Sequence, residues 1–249
     1  MFERMQARGQ RIEVHLYMEA HIEKLPGTSH NLVGEIRGSK YPDEIILIGG
    51  HIDSWDTGPQ TGANDDAAGF FVCYEAVRLL LELNIRPKRT IRFIAWTGEE
   101  FGGKGSVQYE QAHLSEMGKH VIAFESDMGT TLLEGFAYSG NDKAFKQIES
   151  VINQLMPQYK LKNGDGEMED TEILLEKHNI PIMTTIIKDT PNSEYYFTYH
   201  HSAGDTVSIL GKDDMDSNVL GITSLFYTIA DLDESLIKDV MPTKRKSKK

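Results

Sequence analysis

Short, unbroken apolar runs alternate along this chain with longer stretches of helical periodicity. Three of these runs lie at 44–50, 90–97 and 121–124 and suit strands that are covered on both faces. Apolar residues recur at helical spacing in 67–83 and 142–156. This alternation predicts an α/β fold, a three-layer sandwich in which helices cover both faces of a mixed, mostly parallel sheet.

Local periodicity predicts the remaining elements. Two-residue alternation of apolar and polar residues is typical of a half-buried strand, and it occurs at 11–19 and 31–37. Further along, the pattern predicts a helix at 170–178, a strand at 182–187 and a final helix from about 215 to 233, with loops at 163–167 and 190–201.

The length and charge of the chain limit its organisation and its partners. Its 249 residues suit one domain at 1–235 followed by a disordered basic tail at 236–249. The 26 basic and 38 acidic residues give a net charge of −12, which disfavours nucleic acid as a partner. No stretch approaches the ~18 apolar residues of a membrane-spanning helix, the N-terminus has no signal-peptide core, and Cys73 is the only cysteine.

Residues of the types that commonly bind metals follow the three predicted buried strands directly. His51 and Asp53 follow the first strand, Glu99 and Glu100 follow the second, and Asp127 follows the third. Because the carboxyl ends of parallel strands face a common crevice, we expect these side chains to lie close together. Each residue alone is more often an ordinary surface or turn residue, but their coincidence at three successive strand ends favours a shared site.

Two other segments add metal-binding side chains. A turn of small residues at 62–69 carries Asp65, and the loop at 199–206 supplies His200 and His201. Alone, the aspartate is more often a helix cap and the histidines a loop pair without a chemical role. Imidazole and carboxylate groups together suit zinc, and a carboxylate beside the metal that is not a ligand could accept a proton from water.

Six motifs, taken together, resemble those of the co-catalytic di-zinc exopeptidases, and the likeness runs from about residue 11 to residue 233. The motifs are GHIDSWD at 50–56, GANDDAAG at 62–69, RPKRTIR at 86–92, WTGEEFGG at 96–103, ESD at 125–127 and HHSAGDT at 200–206. The resemblance implies two Zn²⁺ per chain on five ligands: His51 and Asp127 for one ion, Glu100 and His201 for the other, and Asp65 for both.

The same resemblance assigns roles to two further residues. Glu99 matches the general base, which takes a proton from the attacking water and passes it to the leaving amine. Asp53 matches a carboxylate that orients His51. The resemblance also implies a cis peptide bond between Asp65 and Asp66.

The resemblance implies zinc-dependent hydrolysis of peptide bonds in dipeptides or short peptides, by a metallodipeptidase or carboxypeptidase. A metal-bridging hydroxide would attack the peptide carbonyl with Glu99 as the base, and His200 could donate a hydrogen bond to the oxyanion. Two alternatives stay open. One is an aminopeptidase of the same family, which would use the same ligands, and the other is an inactive fragment or non-catalytic binding domain.

The chain departs from the family in its N-terminal part. Relatives carry a signal peptide and an inserted domain ahead of the His51 motif, so we interpret this chain as an N-terminally truncated form. The resemblance implies short peptides as substrates, a homodimer in the full-length form, and an extracellular or lysosomal location within the secretory pathway. The acid-rich segment 163–170 is expected to shape the substrate pocket, whereas Tyr195, Tyr196 and Phe197 are either pocket residues or dimer contacts.

Overall fold

A single mixed sheet forms the centre of the fold. The computed structural model describes residues 1–19, 21, 27–55, 60–166, 168–188 and 196–236. The strands in this part of the chain are β1 (Leu32–Ile36), β2 (Tyr41–His51), β3 (Arg89–Trp96), β4 (His120–Glu125), β5 (Leu133–Ser139), β6 (Lys160–Asn163) and β7 (Ile182–Ile187). Their order is β1-β3-β2-β4-β7-β5-β6, and every neighbouring pair is parallel except β1 with β3 and β5 with β7.

Helices connect most of these strands. Within the described residues they are α1 (Phe2–Ala7), α2 (Ala68–Glu82), α3 (Lys104–Ala112), α4 (Asp142–Leu155), α5 (Glu169–His178), α6 (Tyr196–Tyr199) and α7 (Lys212–Asp231). Short 3-10 turns lie at Leu114–Lys119 and Val207–Ile209. None of the helices in the described residues is long and apolar enough to cross a membrane.

Two apolar cores lie on opposite faces of the sheet. All residues of β3 and β4 are buried, which explains why their apolar residues follow one another without two-residue alternation. On one face they pack with α2, α4 and α7, whose buried residues include Val72, Ile148 and Leu225. On the other face a smaller core contains Tyr109 of α3 and Leu174 of α5. The predicted three-layer α/β sandwich is therefore confirmed.

Most predicted elements are confirmed, with ends that shift by a few residues. The confirmed strands are β1, β2, β3, β4 and β7, and the confirmed helices are α2, α4, α5 and α7. The strand predicted at 11–19 is wrong, because these residues have no regular secondary structure and Val14, Leu16 and Met18 are exposed. Alternation determines which side chains share a face. A strand also needs a neighbouring strand that pairs with its backbone N–H and C=O groups, and no described strand pairs with this segment.

Several other elements were not predicted from the sequence, among them the short helix α1. The short strand β6 is polar and mostly exposed, and β5 contains Gly135 and ends in Ser139, so neither has a clear strand pattern. Helix α3 has few apolar residues and includes Gly105. Residues 237–249 of the predicted tail and 190–195 of a predicted loop lie outside the described residues, whereas 196–199 of that loop form α6.

Phe124 on β4 provides a test of the central packing. Its ring is fully buried, 4.7 Å from the Phe226 ring and 6.3 Å from the Phe136 ring between centroids. We expect Phe124→Ala to lower the free energy of unfolding by about 3–5 kcal/mol, because it removes apolar contacts and leaves a cavity. Urea denaturation followed by circular dichroism measures this loss.

Leu155→Ala is the matched control for Phe124→Ala. Leu155 ends α4 and is 63% exposed, so its truncation is expected to change the free energy of unfolding by only about 0.5 kcal/mol. Equal losses in the two variants would contradict the position of β4 at the centre of the core.

Candidate metal centre

The carboxyl ends of β2, β3 and β4 meet at one edge of the sheet. His51 at the end of β2 pairs in register with Trp96 at the end of β3, and Gly49 pairs with Glu125 at the end of β4. The segments that follow these strands therefore enter the same cleft. They carry the predicted site residues Asp53, Glu99, Glu100 and Asp127.

Asp65 lies between two groups of possible metal ligands. Its Oδ1 lies 3.2 Å from Nε2 of His51, and its Oδ2 lies 3.3 Å from Nε2 of His201. Asp127 Oδ1 lies 3.6 Å from the same nitrogen of His51, and Glu100 Oε2 lies 2.9 Å from that of His201. Oδ1 of Asp65 thus faces the imidazole of His51 and Oδ2 faces that of His201, and each of these two imidazoles also contacts a second carboxylate.

Neighbouring side chains widen the choice of ligands. Three sets of residues offer ligand atoms that lie within 4.8 Å of one another: Asp65, His200 and His201; His51, Asp66 and Asp127; and His51, Glu99 and Glu100. His200 stacks on His201 with ring centroids 3.6 Å apart, and its Nε2 lies 3.5 Å from Asp65 Oδ2. Trp55 Nε1 donates a hydrogen bond to His201 Nε2 at 3.1 Å. Distance alone therefore does not separate the two histidines as ligands.

The backbone around Asp65 is held by two other aspartates. The carboxylate of Asp205 accepts hydrogen bonds from the amides of Asn64 at 2.7 Å and Asp65 at 3.2 Å. The Asp65–Asp66 peptide bond is cis, as the resemblance implied. Oδ2 of Asp66 accepts a hydrogen bond from the amide of His51 at 3.0 Å. These contacts link the turn that carries Asp65 to the end of β2.

Glycines allow α2 to begin close to the ends of the strands. A Cβ atom on Gly50 would lie 2.3 Å from Oδ2 of Asp66 and 2.7 Å from the amide nitrogen of Phe70. A Cβ atom on Gly69 would lie 1.8 Å from the carbonyl oxygen of Ser126. A side chain at Gly50 would push the Asp65 turn and the start of α2 away from β2, and one at Gly69 would push α2 away from the segment that follows β4.

Asp53 and Glu99 lie beside His51. Nδ1 of His51 donates a hydrogen bond to the backbone carbonyl oxygen of Asp53 at 3.0 Å, whereas the Asp53 carboxylate oxygen is 3.7 Å away. The nearer partner of His51 is thus the carbonyl group, and the Asp53 carboxylate instead accepts a hydrogen bond from the Glu99 amide at 3.1 Å. Oε2 of Glu99 lies 3.8 Å from Nε2 of His51.

Tyr196 closes another side of the cleft. Its hydroxyl donates to Oδ1 of Asp65 at 3.0 Å and lies 3.3 Å from Oδ1 of Asp127. Phe197, in contrast, is 68% exposed, and Tyr195 lies outside the described residues. Of the two described residues, Tyr196 and Phe197, Tyr196 is therefore the one whose contacts fit a pocket residue.

Burial and crowding shift the pKa values of the cleft residues. Burial raises the pKa of Glu99 to about 8 and that of Glu100 to about 7, and the negative charges of nearby carboxylates add to both increases. Burial also raises the pKa of Asp127. For His51, burial lowers the pKa, but contacts with Asp127, Asp53 and Asp65 outweigh it and the net pKa lies above its ordinary value. Crowded carboxylates of this kind are stabilised as anions by a divalent cation.

The donor atoms in the cleft fit zinc. Oδ2 of Asp65 and Oε1 of Glu100 are buried and accept no hydrogen bond in the described residues. Their side chains are only 2% and 4% exposed, so water cannot easily satisfy these oxygens. Imidazole nitrogen and carboxylate oxygen are donors that zinc binds, and both kinds surround Asp65.

The cleft encloses a cavity of about 520 Å³. Five predicted site residues line it, namely Asp65, Glu99, Glu100, Asp127 and His201, whereas His51 is fully buried. The start of α5 supplies another part of the wall, with Met168, Glu169 and Glu172. The expectation that the segment 163–170 shapes the pocket therefore holds for Met168 and Glu169.

The structure adds residues that the sequence did not single out. Asp205 was part of a motif, but no local pattern indicated that its carboxylate contacts the amides of Asn64 and Asp65. Glu172 lies within a predicted helix, and periodicity did not indicate that its side chain meets the cleft. The sequence signal for Asp205 was its place in the motif HHSAGDT at 200–206.

The chain matches known proteins over most of its length. The model of peptidase family M28 matches residues 31–224. Carboxypeptidase Q from Bos taurus is 40% identical over 240 residues, which are 95% of this chain and 48% of the relative. The protein of that name from Mus musculus is 38% identical over 240 residues, with 95% and 49% covered. The chain thus spans about half the length of the curated relatives it matches.

Solved structures share this fold. A peptidase M28 precursor from Shewanella amazonensis SB2B aligns with a TM-score of 0.75 at 30% identity, over 86% of this chain and 47% of that one. A zinc aminopeptidase from Bacillus subtilis has the same fold, with a TM-score of 0.64 at 20% identity over 83% of this chain and 53% of that one. Together, the family match, the identity to carboxypeptidase Q and the shared fold show that the chain belongs to peptidase family M28.

Proposed function

We propose that this chain carries the catalytic domain, residues 1–235, of a zinc-dependent exopeptidase that acts on dipeptides or short peptides as a dipeptidase or carboxypeptidase. The observation that carries the proposal is the position of Asp65, each of whose carboxylate oxygens faces a separate imidazole. Membership of peptidase family M28 and the identity to relatives named carboxypeptidase Q support it.

We assign two zinc ions to each chain. One would be held by His51, Asp127 and Asp65, and the other by Glu100, His201 and Asp65, since the side chains within each group lie close together. When bound, zinc supplies Lewis-acid polarisation of the peptide carbonyl and lowers the pKa of water. An imidazole must be neutral to bind zinc. The hydrogen bond from His51 Nδ1 to the carbonyl oxygen of Asp53 keeps the ring proton on Nδ1 and leaves Nε2 free to face the cleft.

Glu99 is assigned as the general base. It lines the cavity and is adjacent to the proposed ligands, so its carboxylate can take a proton from water and transfer it to the leaving amine. Burial, which raises its pKa, favours a group that can hold the proton between these two steps. Asp53 positions Glu99 through the hydrogen bond from the Glu99 amide to its carboxylate.

Zinc content and dipeptide hydrolysis test the proposed function together. The purified chain is incubated with zinc, dialysed against metal-free buffer and analysed for zinc and for release of amino acids from dipeptides. We expect about two zinc ions per chain and hydrolysis that a chelator abolishes. N-acetylated and C-amidated dipeptides then separate carboxypeptidase from aminopeptidase action. Bound zinc without hydrolysis of any peptide would favour a non-catalytic domain, and absence of zinc binding would contradict the metal assignment.

The two adjacent histidines allow a matched test of the ligand set. We expect His201→Ala to lower the zinc content from about two ions per chain to about one, because His201 is the imidazole that contacts both Glu100 and Asp65. His200→Ala is the control and is expected to leave the zinc content unchanged. The reverse result in elemental analysis would assign the ligand to His200.

The remaining expectations concern the full-length protein. We propose that it is a homodimer located outside the cell or in lysosomes, on the basis of its likeness to the exopeptidase family. Light scattering of the purified full-length protein tests the first statement, and fractionation of cells that produce it tests the second. A monomer, or a protein confined to the cytosol, would contradict the respective statement.

A further inference from the structure

A pair of exposed aromatic side chains lies at the edge of the cavity. Trp55 lines the cavity and is 36% exposed, and Phe101 beside it is 52% exposed. Their rings pack together with centroids 5.7 Å apart and an angle of 48° between the planes. Removing apolar area from water is favourable, so rings of this size are usually well buried. Two adjoining rings that stay in water form a surface that a ligand can cover.

The two rings belong to segments that carry proposed metal ligands. Trp55 follows His51 by four residues. Phe101 follows Glu100 directly. The ring centroid of Trp55 lies 5.4 Å from that of His201, and its Nε1 lies 3.1 Å from Nε2 of His201. A peptide whose carbonyl group lies at the metals therefore places a neighbouring side chain within reach of Trp55.

The two contacts of Trp55 depend on different atoms. An imidazole nitrogen has one lone pair, which either accepts a hydrogen bond or binds a metal. Zinc on Nε2 of His201 would therefore release the indole N–H from its present acceptor. The contact between Trp55 and Phe101 involves the rings themselves and needs no hydrogen bond. The aromatic surface is thus expected to be present with or without zinc.

This aromatic surface adjoins a cavity that is mostly acidic. Carboxylates predominate among the other described residues that line the cavity, namely Asp65, Glu99, Glu100, Asp127, Glu169 and Glu172. An apolar substrate side chain placed against charged groups would remove their water, which costs free energy. Against Trp55 and Phe101 the same side chain covers carbon atoms instead. An apolar side chain is therefore expected to bind at the aromatic pair.

Resting on the proposed peptidase function, we infer that Trp55 and Phe101 bind a large apolar side chain of the substrate, above all an aromatic one, next to the peptide bond that is cleaved. An aromatic ring can stack on the indole or meet its edge, and both arrangements add to the gain from buried area. The two residues thus determine specificity by contact with the substrate and take no part in proton transfer.

Phenylalanine and alanine dipeptides provide the test. The substrates are Phe-Ala and Ala-Phe, each compared with Ala-Ala. We expect the zinc-loaded enzyme to favour phenylalanine by about tenfold in kcat/KM in at least one of the two positions, the size expected for partial burial of one aromatic side chain. The preference is expected to be insensitive to ionic strength, because neither ring carries a charge.

Variants of the pair assign this preference. In W55A/F101A the ratio of phenylalanine to alanine in kcat/KM is expected to fall to about one. W55F keeps a ring but has no N–H donor, so it is expected to keep most of the preference, whereas a hydrogen-bonding role of the indole would abolish it. Phe71→Ala is the matched control, because Phe71 is 54% exposed on α2 and is not among the described residues that line the cavity. It is expected to keep the full preference.

Tryptophan fluorescence provides a readout that does not depend on activity. The chain has two tryptophans, and Trp96 is fully buried in the smaller core. The same dipeptides are added to the zinc-loaded Glu99→Gln variant, in which hydrolysis is expected to be slow. The phenylalanine dipeptide that is preferred in the kinetic test is expected to shift the emission to shorter wavelength by covering Trp55, and Ala-Ala is expected to cause a smaller shift. Adding W55F to this variant is expected to remove the shift.

Three outcomes would overturn the inference: equal kcat/KM with phenylalanine and alanine dipeptides, a preference that survives in W55A/F101A, or an equal loss with both kinds of dipeptide in that variant. The last outcome would assign the pair to the geometry of the metal site. If W55A/F101A keeps the preference but changes from dimer to monomer in light scattering, the pair is an interface between two copies instead.

Failure of the proposed function has a different signature, since no dipeptide would then be hydrolysed by the unmodified chain. In that case the fluorescence titration still decides the inference. A shift with a phenylalanine dipeptide that requires Trp55 would support binding of the apolar side chain at this surface, and no shift with either phenylalanine dipeptide would contradict it.

Discussion

Glu99→Gln is expected to keep its zinc and to lose turnover by about 10²- to 10⁴-fold, the usual contribution of a general base. Glutamine has nearly the same shape as glutamate, but its amide oxygen does not take up a proton at neutral pH. Glu99 is not in the proposed ligand set, so the metal geometry remains intact. The loss is expected in kcat with little change in KM, because the proton moves only during the reaction.

Parallel measurement of zinc content and kcat decides the role of Glu99. Glu176→Gln is the control for loss of one negative charge, because Glu176 is exposed on α5. Its kcat is expected to be unchanged. Loss of zinc together with activity would make Glu99 a ligand, an arrangement that the set of His51, Glu99 and Glu100 permits geometrically. Retained turnover with normal zinc content would assign the base to another group.

Asp65→Asn is expected to reduce the zinc content from about two ions per chain to less than one and to lower hydrolysis to the background rate. Both oxygens of the Asp65 carboxylate face proposed ligands, one on the side of His51 and one on the side of His201. The amide has one oxygen and no charge, so it cannot serve both metals. A single substitution therefore weakens two sites at once.

Thermal unfolding provides a readout of Asp65→Asn that does not depend on activity. A ligand that binds only the folded chain adds about 2.7 kcal/mol of stability when its free concentration is 100 times its Kd. We expect zinc to raise the melting temperature of the unmodified chain and to have little effect on the variant. The control Asp43→Asn changes a carboxylate that is 81% exposed, and it is expected to respond to zinc like the unmodified chain.

A normal zinc content in Asp65→Asn would contradict the bridging role. Loss of one ion only would place Asp65 in a single site and leave the other to a set such as His51, Asp66 and Asp127. Unfolding of the variant in the absence of zinc would show a structural role instead, which the melting curve of the metal-free protein detects directly.

The central strands, and the site residues at their ends, could be predicted because both depend on short stretches of sequence. Residues 45–51 of β2 and all residues of β3 and β4 are buried, so their mainly apolar runs were sufficient to find these strands. The segment 11–19 has a clear two-residue alternation of apolar and polar residues, but it has no partner strand among the described residues. Local pattern does not encode the neighbour that a strand requires.

The sequence by itself determined that His51, Glu99 and Asp127 meet at one edge of the sheet, because parallel strands place their carboxyl ends there and these residues lie at or just after those ends. Only the tertiary structure decided how these residues are held. The Asp205 carboxylate contacts amides 140 and 141 residues away in sequence, and His51 is nearer to a carbonyl oxygen of Asp53 than to its carboxylate. Such choices depend on differences of less than an ångström, which distant segments set by packing together.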